Sequence, residues 1–178
     1  MNRIMVIGNA GGGKSTLCRN LSVTLGLPCH SIDDLQWKPG WVATPDAEYD
    51  AAHSDVIAGD HWLIDGYGPW SSVLARLEHC DTVILIDHPI RVHFWWALKR
   101  QIASLLGQRR DGAKGCPMWP VTVRLFRMMW HLHRVMRPRL IEAIYARADQ
   151  VLIVHVRSPK ELRSFARAPE TRLAGSGR

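Results

Sequence analysis

The chain is predicted to fold as an α/β domain with a doubly wound parallel sheet, and three observations predict it. Short apolar runs alternate with stretches of helical periodicity over 178 residues. The runs are near-continuous rather than alternating apolar with polar, which suits strands covered on both faces. The first run leads directly into a glycine-rich octet and then a helix, a strand–loop–helix unit of the kind such sheets are built from.

Ile4-Met5-Val6-Ile7 is the first strand. The octet Gly8-Asn9-Ala10-Gly11-Gly12-Gly13-Lys14-Ser15 follows it and fills every fixed position of the phosphate-binding pattern G-x-x-x-x-G-K-[ST]. Ser15 to Leu25 then places Leu17, Leu21 and Leu25 at helical spacing, with Gly26 just past the end and Pro28 beyond as stop signals. Pro28 to Asp33 reads as a short second strand. Pro45 to Gly59 and Ser71 to Glu78 read as helices on either side of a strand at Trp62-Leu63-Ile64-Asp65. Thr82 to Asp87 is the fourth strand, and Ile90 to Leu106 is a helix. Pro120 to Met136 carries Val121, Leu125, Met128, Met129, Leu132, Val135 and Met136 on one side and Arg124, Arg127 and Arg134 on others. Pro138 is expected to bend or break this helix before another from Arg139 to Arg147. Val151 to Val156 is the last strand.

Two connections stand out. Gln36 to Thr44, with Trp37, Pro39, Gly40 and Trp41, reads as a loop of turn formers and aromatics. Gly107 to Pro120 sets Arg109, Arg110, Asp111 and Lys114 among Gly112, Gly115, Pro117 and Pro120, and reads as a mobile basic lid. Residues 1–166 are expected to form one domain, with the lid and basic helices over about 91–147 and a flexible tail at 167–178.

A composition of 47% apolar and 22% charged residues is that of a globular protein. No apolar run approaches a membrane span, and nothing marks the chain for export. Cys18, Cys29, Cys80 and Cys116 lack any C-x-x-C spacing, which beside a nucleotide site points to free thiols in a reducing cytoplasm. The net charge of +7 is uneven: between Arg91 and Arg147 twelve Lys or Arg face only Asp111 and Glu142, a local +10. Such a segment beside a phosphate loop suits phosphorylated substrates or nucleic acid, and part of it is solvated helix face.

The glycines allow the backbone to turn its N–H groups toward phosphate oxygens, and the helix N-terminus adds a favourable dipole. Gly8, Asn9, Ala10, Gly11, Gly12, Gly13, Lys14, Ser15 and Thr16 are therefore the expected binding residues for a nucleoside triphosphate. Lys14 would reach the β- and γ-phosphates and the Ser15 hydroxyl would ligate Mg²⁺. Asp65 ends a strand where Gly66 permits a sharp turn, so it suits a second Mg²⁺ position, held through water, or a turn cap. Asp33 and Asp34 suit three roles: activating an acceptor hydroxyl, pairing with a lid arginine, or forming a turn. Arg109 and Arg110 are the first candidates to neutralise a transferred phosphoryl group, with Arg100 and Arg91 behind them. Trp37, Trp41, Tyr67 and Trp70 suit a stacked base, an acceptor pocket or the core. Trp95, Trp96 and Trp130 read as packing, and His131 with His133 makes a poor metal pair because residues two apart on a helix diverge.

These motifs resemble the nucleoside-monophosphate-kinase branch of the P-loop proteins, and most closely the adenylate-kinase-related proteins called topology-modulation or FlaR-like. The likeness runs from Ile4 to about Phe165. It rests on Gly8 to Ser15, on Ser31-Ile32-Asp33-Asp34 with Trp37-Lys38-Pro39-Gly40-Trp41, on Trp62 to Tyr67, on Asp81 to Asp87 with Pro89, and on Arg109-Arg110-Asp111 with Gly115-Cys116-Pro117. The resemblance implies a P-loop NTPase fold, a five-stranded sheet in order 2-3-1-4-5 with helices on both faces and an arginine-bearing helical lid, and ATP with Mg²⁺. Adenylate kinases follow their Asp-Gly with Phe-Pro-Arg; Tyr67-Gly68-Pro69-Trp70 stands here instead, so the acceptor need not be a nucleotide.

The leading expectation is a kinase that moves the γ-phosphoryl group of Mg-ATP to a small acceptor, with Lys14, Asp33, Arg109 and Arg110 as its catalytic residues. The alternative is an ATP-dependent switch or nucleic-acid-binding regulator. A GTPase gains a D-x-x-G match at Asp65 to Gly68 but lacks any Asn-Lys-x-Asp to read guanine.

Overall fold

The computed structural model describes residues 2–106, 115–117 and 119–169. Its strands are β1 (Arg3–Gly8), β2 (Cys29–Ser31), β3 (Trp37–Lys38), β4 (Val42–Ala43), β5 (Trp62–Asp65), β6 (Thr82–Ile86) and β7 (Leu152–Val156). Five of these form one parallel sheet in the order β2-β5-β1-β6-β7, which is 2-3-1-4-5 when the sheet strands alone are counted. The expected fold class and strand order are therefore those observed. The helices are α1 (Lys14–Leu25), α2 (Ile32–Gln36), α3 (Asp46–Ala58), α4 (Trp70–His79), α5 (Ile90–Leu105), α6 (Thr122–His131), α7 (Arg137–Tyr145) and α8 (Pro159–Arg167).

Alternation along the central strands divides the core in two. Ile4 and Val6 of β1 join Leu63, Ile84 and Val156 against Leu17 and Leu21 of α1 and Leu162 and Phe165 of α8. Met5 and Ile7 join Ile64, Val83 and Leu85 against Tyr49 and Ile57 of α3, Val73 and Leu77 of α4, and Leu140 and Ile144 of α7. Both faces of β1, β5 and β6 are thus buried, which is why their sequences carry little polarity.

Local structure departs from the sequence reading in four places. The second strand stops at Ser31, and Asp33 and Asp34 lie in the first turn of α2, where the helix dipole favours carboxylates. Gln36 to Thr44 is not a plain loop but a hairpin: Trp37 pairs with Ala43 and Lys38 with Val42 around Pro39-Gly40-Trp41. Pro138 does not break its helix. A π-helical turn (Leu132–Met136) precedes it, and the wider turn accommodates the proline, so helix continues from Thr122 to Tyr145. Trp95 and Trp130 are half-exposed: Trp130 stacks on Phe94 with ring centres 6.4 Å apart, and Lys99 and Arg134 lie 4.9 and 5.5 Å from the ring centres of Trp95 and Trp130. Arg109, Arg110, Asp111 and Lys114, and the tail beyond residue 169, lie outside the described residues.

The most demanding buried group is Arg76 of α4, which is fully enclosed and, among the described residues, has no acidic partner in hydrogen-bond contact. Its guanidinium donates to the carbonyl oxygens of Gly66 (2.9 Å), Ser72 (3.0 Å) and Tyr67. Burial pushes its pKa down to about 10, so it remains charged at neutral pH. The side chain pins the turn that leaves β5. Replacing it by Met keeps most of the volume but strips two loop carbonyls of their donor, at a cost of about 2 kcal/mol. Urea unfolding of Arg76→Met should show that loss as a lower midpoint at unchanged slope, and a midpoint within error of the parent would remove the anchoring role.

Candidate active site

The phosphate-binding octet is held in place by close approach. Gly8 has φ +148°, and a side-chain carbon added there would stand 2.1 Å from the carbonyl oxygen of Ile86 on β6. At Gly11, with φ +67°, it would stand 2.6 Å from the carbonyl oxygen of His93 on α5. The loop therefore lies flat between the sheet and α5, where only glycine fits.

Side chains fix what the glycines allow. Asn9 turns its amide away from the cleft and donates to the Met129 carbonyl on α6 at 2.8 Å, while its Oδ1 accepts from the Ala10 N–H at 2.8 Å. His93 meets the Ala10 carbonyl at 3.0 Å through Nδ1; since a carbonyl only accepts, Nδ1 carries the proton. Desolvation first, with the positive charge of Lys14 second, pushes the His93 pKa down to about 4, so the ring is neutral. The Lys14 ammonium donates to the Asn9 carbonyl at 2.9 Å. The first turn of α1 has neither a capping side chain nor an acid, which leaves its leading amide donors to a ligand.

One cavity of about 700 Å³ joins this loop to the ends of the neighbouring strands. Gly8, Ala10 to Thr16, Asp33, Asp65, Arg100 and Arg124 all line it. Asp65 is buried at the end of β5, directly across the sheet from Val6 and Ser31, and its Oδ1 has no hydrogen-bond partner among the described residues. Asp33 is open to the cleft, yet surrounding protein desolvates it enough to raise its pKa above the usual carboxylate value. Lys14 and Arg100 oppose that shift and Asp65 adds to it. Asp34 and Arg91 do not line the cavity.

Asp87, just past the end of β6, is committed elsewhere. Arg137 grips it with two bonds of 2.5 and 2.7 Å, and His155 adds a third at 2.9 Å. Burial alone would raise its pKa, but these bonds hold it below the ordinary value and lock α7 to the sheet.

The rest of the lining is largely aromatic and apolar: Trp37, Trp41, Tyr67 and Trp70, together with Val121, Leu125, Met128, Leu132 and Met136. All four aromatics singled out in the sequence are thus brought together. Sequence reasoning missed His93 and Arg76 because neither stands in a motif. It also gave no role in the site to Met128, Leu132 and Met136, since residues that line a cavity and residues that fill a core share one periodicity.

No family model and no curated protein matches the chain. Solved structures do. A shikimate kinase from Acinetobacter baumannii, in complex with shikimate, is similar with a TM-score of 0.63 over 100% of this chain and 96% of its own, at 14% identity. A sugar kinase from Janibacter sp. HTCC2649 gives 0.53 over 99% and 96%, also at 14% identity. The chain has the P-loop kinase fold.

His93 titrates near pH 6.5 when unfolded but only near pH 4 when folded, so the unfolded state binds more protons between those values and stability falls as pH drops through that window. The loss for one such ring is on the order of 3 kcal/mol, and His53, also near 4, adds to it. His93→Asn retains an N–H for the Ala10 carbonyl and removes the titration. Its unfolding free energy, measured from pH 7 to pH 4, should decline less steeply than the parent's; parallel slopes would show that His93 is not the titrating group.

Proposed function

We propose that the protein is a phosphotransferase that carries the γ-phosphoryl group of Mg-ATP to the hydroxyl of a small acceptor. The observation that supports this most is the single cavity in which the phosphate loop, Asp33 and Asp65 meet. In this reading the loop amides and Lys14 hold the triphosphate. Ser15 and Asp65 would hold Mg²⁺, which neutralises phosphate charge when bound; the orphaned, buried Oδ1 of Asp65 fits such a cation. Asp33 takes the proton of the acceptor hydroxyl as its oxygen bonds to Pγ. The bond from Pγ to the bridging oxygen breaks and ADP departs with that oxygen. Its raised pKa makes Asp33 a better proton acceptor than an ordinary surface carboxylate. Arg100 and Arg124 line the same space, and Arg109 and Arg110 are assigned from sequence to the transferred group. The likeness to the FlaR-like, adenylate-kinase-related proteins belongs to the same proposal.

A second reading rests on the outer faces of α5 and α6, where Lys99 and Arg134 cover the half-exposed rings of Trp95 and Trp130. Basic and aromatic groups in alternation suit single-stranded nucleic acid. Binding to an oligonucleotide that weakens steeply with salt, without acceptor-dependent ADP, would favour it over the kinase.

Lys14→Ala should lower acceptor-dependent ADP formation at least 100-fold while thermal unfolding stays unchanged, because the ammonium serves phosphate and not the core. Normal turnover in this variant would overturn the site. Loss of Arg109 and Arg110 together should reduce kcat more than ATP affinity, read by steady-state kinetics and calorimetry. An unchanged rate would return both to the solvated surface.

A further inference from the structure

We propose that the acceptor is an unphosphorylated alcohol with a flat, largely apolar body, seated between the Trp37–Trp41 hairpin and the cavity face of α6. This deepens the kinase reading and rests on it. The phosphoryl end of the cavity is polar, with Lys14, Asp33, Asp65 and Arg100. The same cavity is also lined by Trp37, Trp41, Tyr67 and Trp70 and by Leu125 and Met128 of α6. The two indoles of the hairpin stand edge to face, 5.7 Å apart at 71°, forming a corner rather than a closed stack. Such a corner contacts a planar body on two sides with little conformational cost.

Trp41 is the most telling residue. It has φ +62°, a conformation in which a bulky side chain is strained and which glycine adopts freely. It is the lone described residue other than glycine with positive φ. The indole is held there by its Nε1, which donates to the Pro117 carbonyl at 2.6 Å. Glycine would satisfy the backbone of this turn, so the indole itself is what the position retains.

Charge points the same way. A phosphomonoester needs a fork of donors or several cations. Three further arginines do not line the cavity and are occupied elsewhere: Arg76 with backbone carbonyls, Arg137 with Asp87, and Arg139 over the ring of Trp70 at 4.6 Å. The turn Tyr67-Gly68-Pro69-Trp70 supplies no cation. Of the cations lining the cavity among the described residues, Lys14 and Arg100 act on Asp33 at the phosphoryl end, which leaves Arg124 for the acceptor. Gln36 and His131 on the wall suit hydroxyl groups.

The test uses matched acceptors with the full chain and Mg-ATP: adenosine against AMP, and 3-phenylpropane-1,2-diol against glycerol. At least one aromatic, unphosphorylated compound should exceed its partner tenfold or more in kcat/KM, with its phosphorylated product seen by mass. Trp41→Gly should then raise the KM of that acceptor at least tenfold while ATP affinity, read by calorimetry, stays within twofold, because Asn9 and His93 brace the phosphate loop independently of the hairpin. Preference for AMP or glycerol would overturn the acceptor class while leaving the kinase reading intact. An unchanged acceptor KM in Trp41→Gly would overturn the role of the hairpin corner. ADP formation with no acceptor in the panel, alongside no rate above that of Lys14→Ala, would remove the kinase reading and this inference with it.

Discussion

The structure turns on a helix end that the protein leaves uncapped. Among the described residues the leading amides of α1 have no side-chain acceptor. Side-chain capping is seen at α8, where Ser158 accepts from the Glu161 N–H and donates its hydroxyl to the Glu161 carboxylate. The start of α1 differs from the other uncapped helices in following a glycine loop with positive φ at Gly11 and Gly13. With Ser15 and Thr16 exposed beside the cavity, its leading amides are open to an anion, which the helix dipole favours. The surrounding architecture exists to keep them open and in place. Gly8 lies against β6, Gly11 against α5, and Asn9 and His93 tie the loop to α6 and α5. Three elements distant in sequence therefore fix one turn, and a displacement of any of them would move the phosphate site.

Strand order places chemistry on both sides of that turn. From β1 the chain crosses first to β2 and returns through β5, then continues outward through β6 and β7. The crevice lies where these two directions diverge, and the ends of β1, β2 and β5 bring Gly8, Ser31 and Asp65 to its edge. Asp65 ends β5 and Asp87 lies just past the end of β6, on opposite sides of β1, yet they differ in fate. Asp87 has two cationic or proton-donating partners and is structural; Asp65 keeps a buried oxygen without one among the described residues. An unpartnered buried carboxylate oxygen is expensive in an apolar surrounding and is tolerated where a cation can reach it.

What the sequence made legible and what it concealed follow one physical division. Ile4 to Ile7, Trp62 to Asp65 and the octet at Gly8 were readable because a buried parallel strand and a phosphate loop each impose residue types at every position. The hairpin at Trp37 to Ala43 was not, because its turn is made by a tryptophan in a backbone conformation that sequence patterns assign to glycine or asparagine. Pro138 signalled a break, but the preceding π turn absorbs it, and no local pattern announces a widened turn. Arg76 and His93 were silent because their roles depend on carbonyl groups brought near by tertiary packing, and a carbonyl is the same in every residue. Asp33 and Asp65 were found, but that one cavity joins them is a fact of topology.

The two segments that looked most distinctive in the sequence, Trp37 to Trp41 and Gly115-Cys116-Pro117, prove to be in contact. The Gly40 N–H donates to the Gly115 carbonyl at 3.0 Å, the Cys116 thiol reaches the Lys38 carbonyl at 3.4 Å, and Trp41 reaches Pro117. Three hydrogen bonds across so short a stretch hold a strained tryptophan in place, and the strain of about 1–3 kcal/mol is within what they can offset. The hairpin wall of the cavity and residues 115–117 are thereby held together. A molecule that presses on the indole corner presses on residues 115–117 as well. In the proposed kinase the hairpin and residues 115–117 would respond together to an acceptor, while Asn9 and His93 brace the phosphate loop separately through α6 and α5.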